Sequence, residues 1–372
     1  MEKKAPLIFA LSVGLMTIML FSCKKSIYKS YENKGNLVFK DSVQLCHSGN
    51  KSFPLDEITS HLITSAEFNE SLNTFSFISK NRLYLYDYSS SNLIKKIAFK
   101  SISPNNFLIN SLDTIFLFDY GKSSICLVDT LGTVLERYKI EEKEEPFFPF
   151  TITKTSDVCF FDNKLTFFGH RAGEGGYDKR HVMGQLDLNT RKYSFYVPYP
   201  EIYKKNWGGA LFRWVYAAYN PIKKLFIVSF PAEHSLFSVD PISKQIEIIE
   251  SGSKHIQSTY YLNSSIKKNN SNLAIQHFVE TDSYGRLLYD KYQDVYYRVI
   301  EKGTEFTQMI GWQKPIFITI LNNKFEILGE TYIGACNLNY RYTMFVSKEG
   351  LHIPKRTTED VLVFDIYQLK KL

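Results

Sequence analysis

Short apolar runs with alternating apolar and polar positions recur along almost the whole chain. They are five to eight residues long, rich in aromatic and β-branched residues, and separated by Asp, Asn, Gly, Pro and Ser. Alternation with a period of two is typical of half-buried β-strands, and almost no segment has the 3.6-residue period of an amphipathic helix. The pattern therefore predicts an all-β protein.

One unit of this pattern occurs six times: an alternating apolar strand, an Asp or Asn, a polar turn and a second strand. Its copies begin at Arg82, Ser124, Val182, Ser235, Phe317 and Val361, and the predicted turn residues are Asp87, Asp129, Asp187, Asp240, Asn322 and Asp365. Hairpins such as "VYAAYNP" with "KKLFIVSF" supply two more strands per copy. Six repeats of four antiparallel strands predict a six-bladed β-propeller. An up-and-down barrel or a two-domain β-sandwich is the alternative.

The last repeat lacks a convincing fourth strand, because the sequence ends soon after "VLVFDIY". The early strand-like run "NLVFKDSVQL", residues 36–45, has no other partner. We expect it to complete the last blade, which would join the two ends of the chain and remove an exposed sheet edge. The propeller is accordingly predicted over residues 36–372.

The N-terminus has the composition of a signal peptide. Lys3 and Lys4 precede the uncharged apolar run of residues 6–21, and Cys23 follows it closely. The run is shorter than the roughly 20 residues that a membrane-spanning helix needs. Its ending resembles the bacterial lipobox, in which the cysteine is acylated and becomes the new N-terminus.

The lipobox resemblance is imperfect at Phe21 and at Ser22, where Ala or Gly is usual. It implies that residues 1–22 are a lipoprotein signal peptide, that Cys23 is lipidated, and that residues 23–35 are a tether. Several acyl chains hold a protein to a bilayer far better than one chain does. The alternative is an uncleaved membrane anchor.

Charge and cysteine content narrow the function classes. The formal net charge of +7 is modest and the basic residues are dispersed, so we expect no nucleic-acid partner. Four cysteines remain after Cys23, and we expect free thiols rather than disulfides, although an envelope location permits disulfides: Cys46, Cys126, Cys159 and Cys336. No motif predicts a cofactor.

Two strand pairs resemble a known family. Residues 284–300, "YGRLLYDKYQDVYYRVI", and residues 216–230, "YAAYNPIKKLFIVSF", resemble repeats of Bacteroidetes-type lipoproteins of domain-of-unknown-function family 4221. The resemblance implies a TolB-like six-bladed propeller in the cell envelope, with no established substrate, cofactor or catalytic residue. In such lipoproteins an acidic stretch after the cysteine favours surface display. Its absence here favours an outer-membrane lipoprotein that faces the periplasm.

The blade topology predicts two unequal faces. We use "connection face" for the side formed by the loops between the second and third strands and by the connections between blades, and "turn face" for the opposite side, formed by the other hairpin turns. The turn face has only short loops, whereas every long segment belongs to the connection face: residues 141–155, 171–180, 198–213, 251–283, 301–315 and 354–360. Because elaborated loops on a rigid scaffold often bind ligands, we expect the function there.

The segment "GHRAGEGGYDKRH" has the most chemically varied loop. Its glycines lack P-loop spacing and no Lys-Ser/Thr follows them, which argues against nucleotide binding. Its two histidines flank the loop, but no third ligand has diagnostic spacing, so no metal site is predicted. The side chains that we expect to bind a polar or anionic ligand, if the loop is more than a solvated tip, are His170, Arg171, Glu174, Asp178 and His181.

Two further groups complete the candidate site. Trp207, Arg213 and Trp214 suit stacking on a sugar or filling an interface pocket, unless the tryptophans plug the junction between blades. Glu233 and His234 are a candidate acid–base pair, although neighbours in a short loop usually point apart.

These observations favour a lipid-anchored module that binds a protein partner or a small polar ligand. No catalytic signature is present, such as GxSxG or HExxH. The alternative is an enzyme, a glycan-active hydrolase or lyase, with its site in the central funnel. Histidine, arginine and carboxylate groups converging from three or more blades would favour the enzyme, whereas an apolar plug with an aromatic rim would favour the binding module.

Overall fold

Six four-stranded antiparallel sheets follow one another in the computed structural model, which describes residues 28–33, 35, 37–140, 154–169, 180–207, 210–263, 271–306, 313–355 and 360–372. The strands are β1 (Tyr28–Glu32), β2 (Val43–Pro54), β3 (Ser65–Asn69), β4 (Thr74–Ser79), β5 (Arg82–Asp87), β6 (Leu93–Ala98), β7 (Pro104–Ser111), β8 (Thr114–Asp119), β9 (Ser124–Val128), β10 (Val134–Lys139), β11 (Cys159–Phe161), β12 (Lys164–Phe168), β13 (His181–Asp187), β14 (Lys192–Pro198), β15 (Tyr216–Asn220), β16 (Leu225–Ser229), β17 (Leu236–Val239), β18 (Ile246–Ile249), β19 (Ser258–Leu262), β20 (Ser283–Asp290), β21 (Val295–Glu301), β22 (Gln313–Asn322), β23 (Ile327–Asn337), β24 (Phe345–Ser347), β25 (Gly350–Pro354) and β26 (Val361–Lys371).

The sheets are the blades of a six-bladed β-propeller, as the repeats predicted. Blades 1 to 5 are β3–β6, β7–β10, β11–β14, β15–β18 and β20–β23, and blade 6 is β24, β25, β26 and β2. The first strands of neighbouring blades contact one another, for example β3 with β7 and β20 with β24. Apolar clusters fill the junctions between blades; Phe53 of blade 6 stacks on Phe75 of blade 1 with ring centroids 4.2 Å apart.

The last blade is closed by an N-terminal strand, but not by the predicted one. Strand β2 pairs with β26 from Val43↔Lys371 to Pro54↔Val361, so the predicted strand of residues 36–45 overlaps it only at its end. Phe39 instead forms a bridge to Ile327 of blade 5. The strand escaped sequence analysis because it is an outer strand, largely solvent-exposed, and its polar centre lacks regular apolar alternation.

Five of the six predicted turn residues hold hairpin turns with their own side chains. Oδ1 of each accepts a hydrogen bond from a backbone N–H two or three residues ahead: Asp87 from Ser90, Asp129 from Leu131, Asp187 from Thr190, Asp240 from Ile242, and Asn322 from Lys324. The prediction for Asp365 is wrong. This residue lies inside β26, because the chain continues as a strand to reach β2 instead of turning.

Replacing Asn322 with alanine tests the turn chemistry. Asn322 Oδ1 accepts hydrogen bonds from the backbone N–H groups of Lys324 and Glu326, both at 2.9 Å. Their loss should lower the free energy of unfolding by about 1 kcal/mol, measured by urea denaturation. Lys324→Ala, in the same turn, is the control and should have little effect. Equal losses in both variants would contradict a role for the amide side chain.

The helices in the part of the chain that the structure describes lie in connections between strands. They are the α-helices Ser271–Glu280 and Tyr340–Thr343 and the 3-10 helices Tyr120–Lys122, Glu201–Lys204 and Ala210–Arg213. None of the helices in the described ranges is both long enough and apolar enough to cross a membrane. The four cysteines beyond Cys23 are free thiols, as predicted, although only Cys126 is fully buried.

Candidate functional site

The first strands of the blades enclose a channel that contains a cavity of ≈ 280 Å³, here called the channel cavity. Five of the blades or the segments that lead into them contribute to its lining. Its opening lies at the turn face, because Glu70, Pro221 and Lys291 in its lining belong to turns between first and second strands. The described part of the molecule therefore has a cavity on the turn face, and a further cavity of ≈ 720 Å³ lies on the connection face beside blades 5 and 6.

An ion pair forms one wall of the channel cavity. Lys154 Nζ contacts Glu67 Oε2 at 2.5 Å, and the side chains of the two residues are only 6% and 17% exposed. The ammonium also lies 5.4 Å from the ring centroid of Phe107 in blade 2. Burial raises the pKa of the Glu67 carboxyl, and Lys154 opposes that increase.

Arg286 crosses the channel from blade 5 to the segment that leads into blade 3. Its Nη1 donates to the carbonyl oxygen of Lys154 at 3.2 Å, and its Nη2 donates to Asp157 Oδ1 at 3.3 Å. Asp157 Oδ2 in turn accepts from the backbone N–H of Tyr219 at 2.9 Å. The Arg286 side chain is 4% exposed, yet its Nε–H has no hydrogen-bond partner.

A second buried ion pair lies nearer the connection face, where the helix Tyr340–Thr343 leads into blade 6. Arg341 Nε donates to Glu301 Oε1 at 2.6 Å, its Nη2 pairs with Oε2, and the Tyr340 hydroxyl also donates to this carboxylate. Gly285 permits this approach, because a Cβ there would lie 2.3 Å from the Tyr340 hydroxyl oxygen. Arg341 Nη1, however, has no partner.

Tyr216 is located between these two groups. Its side chain is completely buried at the start of blade 4, and its hydroxyl has no hydrogen-bond partner. Burial raises the pKa of this hydroxyl, and the charges of Arg341, Glu301 and Arg286 act on it as well. Three buried donor groups, Arg286 Nε, Arg341 Nη1 and the Tyr216 hydroxyl, are thus unsatisfied within one charged region.

The opening of the channel cavity is spanned by surface ion pairs. Glu70 of blade 1 contacts Lys291 of blade 5, and its other oxygen lies 3.5 Å from Lys348 of blade 6. Hydrogen bonding to Lys291 lowers the pKa of Glu70. Because these side chains are substantially exposed, the pairs add little stability and can rearrange.

Of the five residues predicted from the long loop, the structure describes only His181. His170, Arg171, Glu174 and Asp178 lie outside the described residues. The strands on either side of these residues, β12 and β13, are the second and third strands of blade 3. His181 is the first residue of β13, as predicted, and is partly buried.

The tryptophans are not arranged as an exposed aromatic pair. Trp207 is 5% exposed, donates from Nε1 to the carbonyl oxygen of Ile202 at 3.0 Å, and packs against Tyr203 and Phe212. Its indole is packed within the connection that leads into blade 4. Trp214 is partly buried, 4.8 Å from the Arg341 guanidinium.

Arg213 is also partly buried. Its carbonyl oxygen accepts a hydrogen bond from the Tyr199 hydroxyl at 2.6 Å. This contact fixes the backbone of the connection that leads into blade 4.

Glu233 and His234 both contact Tyr31 of the N-terminal strand. The Glu233 carboxylate accepts from the Tyr31 hydroxyl at 3.2 Å and from the backbone N–H of Ser235 at 3.1 Å. His234 lies between the Tyr284 hydroxyl and the Tyr31 carbonyl oxygen, at 2.8 and 3.2 Å. Burial raises the pKa of Glu233 and lowers that of His234 to about 4. Both side chains hold the N-terminal strand in place.

The channel residues Glu67, Lys154, Asp157 and Arg286 were not predicted from the sequence. One signal was present: Arg286 interrupts the otherwise apolar strand "YGRLLY", where a charge needs a buried partner. The partner could not be identified from the sequence, because it lies more than a hundred residues earlier in the chain. Within the described ranges, no group of three or more His, Cys, Asp and Glu side chains could hold a metal ion.

Comparisons with known proteins agree with this architecture. The family model "Domain of unknown function (DUF4221)" matches residues 34–332. A DUF4221 member from Bacteroides vulgatus ATCC 8482 has a similar crystal structure, with 22% identity, a TM-score of 0.74, and coverage of 90% of this chain and 100% of that one. A Bacteroides fragilis NCTC 9343 protein, whose name records an inferred export, has 10% identity, a TM-score of 0.53, and coverage of 92% and 99%. No curated protein matches the sequence.

Proposed function

The chain belongs to the DUF4221 family, and we propose that it is a lipid-anchored envelope propeller that binds a small anionic ligand in its central channel. The signal sequence with Cys23 supports the anchor. The family and the similar structures support the fold and leave the ligand open, since one fold serves many functions. The ligand is therefore argued from the channel itself.

The observation that carries this proposal is the set of three unsatisfied donors. Leaving one buried N–H or O–H without a partner costs about 1–3 kcal/mol, so such groups are rare unless a ligand or water completes them. Arg286 Nε, Arg341 Nη1 and the Tyr216 hydroxyl all require an acceptor. Charge-assisted bonds from guanidinium groups favour a carboxylate over a neutral acceptor. Arg286 also lines the channel cavity, which offers a route from the turn face.

An enzyme is the second candidate. Charged groups from blades 1 and 5 and from the segment entering blade 3 converge on the channel cavity, and burial raises the pKa of Glu67 as a general acid would require. No histidine lines the described part of this cavity. A glycan-active hydrolase or lyase would use Glu67 as the acid, whereas a binding module would need only the donors. Turnover of a bound ligand separates the two candidates.

Replacing Tyr216 with phenylalanine tests the anionic ligand. The ligand-free variant should be equally stable or more stable by about 1 kcal/mol, because a buried unsatisfied hydroxyl is removed. Acetate, succinate and glucuronate should raise the unfolding temperature of the wild type, with glucose as the neutral comparison. For the carboxylate that binds best, the variant should lose roughly tenfold in affinity.

Tyr296→Phe is the matched control, because that buried hydroxyl accepts a hydrogen bond from Asn220 Nδ2 at 2.7 Å. It should lose about 1 kcal/mol of stability and keep its carboxylate affinity. Stabilisation of the wild type by none of the carboxylates, or an unchanged affinity in Tyr216→Phe, would overturn the proposal.

A further inference from the structure

We propose that the membrane anchor holds the connection face beside blades 4 and 5 close to the bilayer and turns the opening of the channel cavity away from it. This orientation rests on the proposed lipidation of Cys23. Beyond the proposed function, the orientation specifies which part of the surface contacts the lipid and from which side a ligand enters the channel. It follows from where the N-terminal strand is attached.

The first strand, β1, is bound along its whole length to a connection between blades. Its five residues pair with β19 in an antiparallel ladder from Tyr28↔Leu262 to Glu32↔Ser258. Strand β19 lies in the connection between β18, the last strand of blade 4, and β20, the first strand of blade 5. That connection belongs to the connection face, so the chain emerging from the anchor first meets the propeller there.

Side chains fasten both ends of β1. The Tyr28 hydroxyl donates to Glu280 Oε2 at 3.0 Å, and its ring stacks on His277 with centroids 5.3 Å apart. The Tyr31 hydroxyl donates to Glu233 at 3.2 Å, and its ring stacks on His234 at 5.4 Å. Tyr28 is therefore a fixed point of the folded domain.

The chain between the anchor and this fixed point is short. Four residues separate Cys23 from Tyr28, so the two Cα atoms lie at most about 18 Å apart even in a fully extended chain. Strand β2 runs from the turn face to the connection face over 12 residues, which corresponds to roughly 36 Å. The tether cannot pass around the propeller, and the turn face cannot reach the bilayer.

The surface beside β1 suits a phospholipid headgroup layer. Lys29 of β1 is exposed, and so are Lys204 and Lys205 next to it, where Asn206 forms a bridge to Leu262. Glu201 neutralises part of this charge through its contact with Lys204 at 2.8 Å. Lysines near a bilayer are attracted to anionic lipids. The charge on this side thus supports the orientation that the tether imposes.

Fluorescence quenching in vesicles tests the orientation. The full lipidated chain is placed in phosphatidylethanolamine–phosphatidylglycerol vesicles that contain a headgroup-quencher lipid. A fluorophore is attached through an azide-bearing amino acid that replaces either Lys205, on the connection face, or Ile242, which is 67% exposed in the turn between β17 and β18 on the turn face. We expect roughly threefold stronger quenching at position 205, because the tether limits the distance.

Two control proteins separate the orientation from the anchor. Cys23→Ala should remain in solution with little quenching at either position. A spacer of about twenty Gly and Ser residues after Lys25 should remove the difference between the positions, because a flexible chain of that length no longer restricts the domain. Both results would support the proposal.

The outcomes that overturn it are distinct. A wild-type protein whose mass shows no acyl chains on Cys23 would refute the anchor in the proposed function, and the orientation with it. An acylated protein with equal quenching at both positions, or with stronger quenching at position 242, would refute the orientation alone. Neither result would affect the carboxylate measurements on the channel.

Discussion

Lowering the pH from 6.5 to about 4 is expected to destabilise the protein through three buried histidines, His234, His277 and His352. Each is at most 2% exposed, and burial lowers its pKa from 6.5 to about 4. Between these values the unfolded chain binds protons that the folded chain does not. The contribution of each neutral histidine to the free energy of unfolding is therefore complete above pH 6.5. It decreases as the pH falls towards 4, by at most roughly 3 kcal/mol per histidine.

Two of these histidines donate a ring N–H to a backbone carbonyl oxygen. His352 Nδ1–H donates to the Gly350 carbonyl oxygen at 3.0 Å, and its Nε2 lies 2.9 Å from the Tyr88 hydroxyl, which donates to Glu349 Oε2 at 2.7 Å. In His234, Nε2–H donates to a carbonyl oxygen and Nδ1 accepts from a tyrosine hydroxyl. In both histidines burial lowers the pKa, while the hydrogen bond to the backbone carbonyl oxygen acts in the opposite direction and reduces the shift.

Urea denaturation at about pH 7, 5.5 and 4.5 measures this effect. His352→Gln should show a smaller loss of stability across this range than the wild type, because one titrating group is removed. His47→Gln is the control, since the His47 side chain is 51% exposed. Burial raises the pKa of Glu233 and Asp290, which acts in the opposite direction, so the comparison is between variants. A His352→Gln profile parallel to that of the wild type would disprove the assignment.

Replacing Arg341 with methionine is expected to lower the free energy of unfolding by about 3–5 kcal/mol. The Arg341–Glu301 pair is essentially inaccessible, with side chains 1% and 0% exposed. Burial alone would raise the pKa of Glu301, but Arg341 and Lys314 more than offset this and lower it. Without Arg341, a buried carboxylate loses its main counter-charge, which explains the large loss.

The control is Lys40→Met, which removes an exposed partner of Glu326 and should cost less than about 1 kcal/mol. The double variant with Arg341→Met and Glu301→Gln should be more stable than Arg341→Met alone, because no uncompensated charge remains. Chemical denaturation of the four proteins measures these differences. A double variant less stable than the single one would show that the loss arises from packing of the arginine and not from its charge.

Local chemistry explains why the hairpins could be predicted. The Asp129 and Asn322 turns depend on hydrogen bonds that reach only two to four residues along the chain. Strand alternation is equally local, so six repeats of both indicated the propeller. The closing strand was misplaced because β2 becomes a strand by pairing with β26, about 310 residues later in the chain. Its own sequence pattern does not identify it.

The channel could not be predicted in the same way. Glu67, Lys154 and Arg286 are separated by 87 and 132 positions, and each looks like an isolated charge in its own segment. Only the closed ring of blades brings their side chains within hydrogen-bonding distance. Local hydrogen bonding and alternation therefore encode the blades, whereas the channel chemistry and the place where the tether meets the propeller depend on contacts that exist only after the ring has closed.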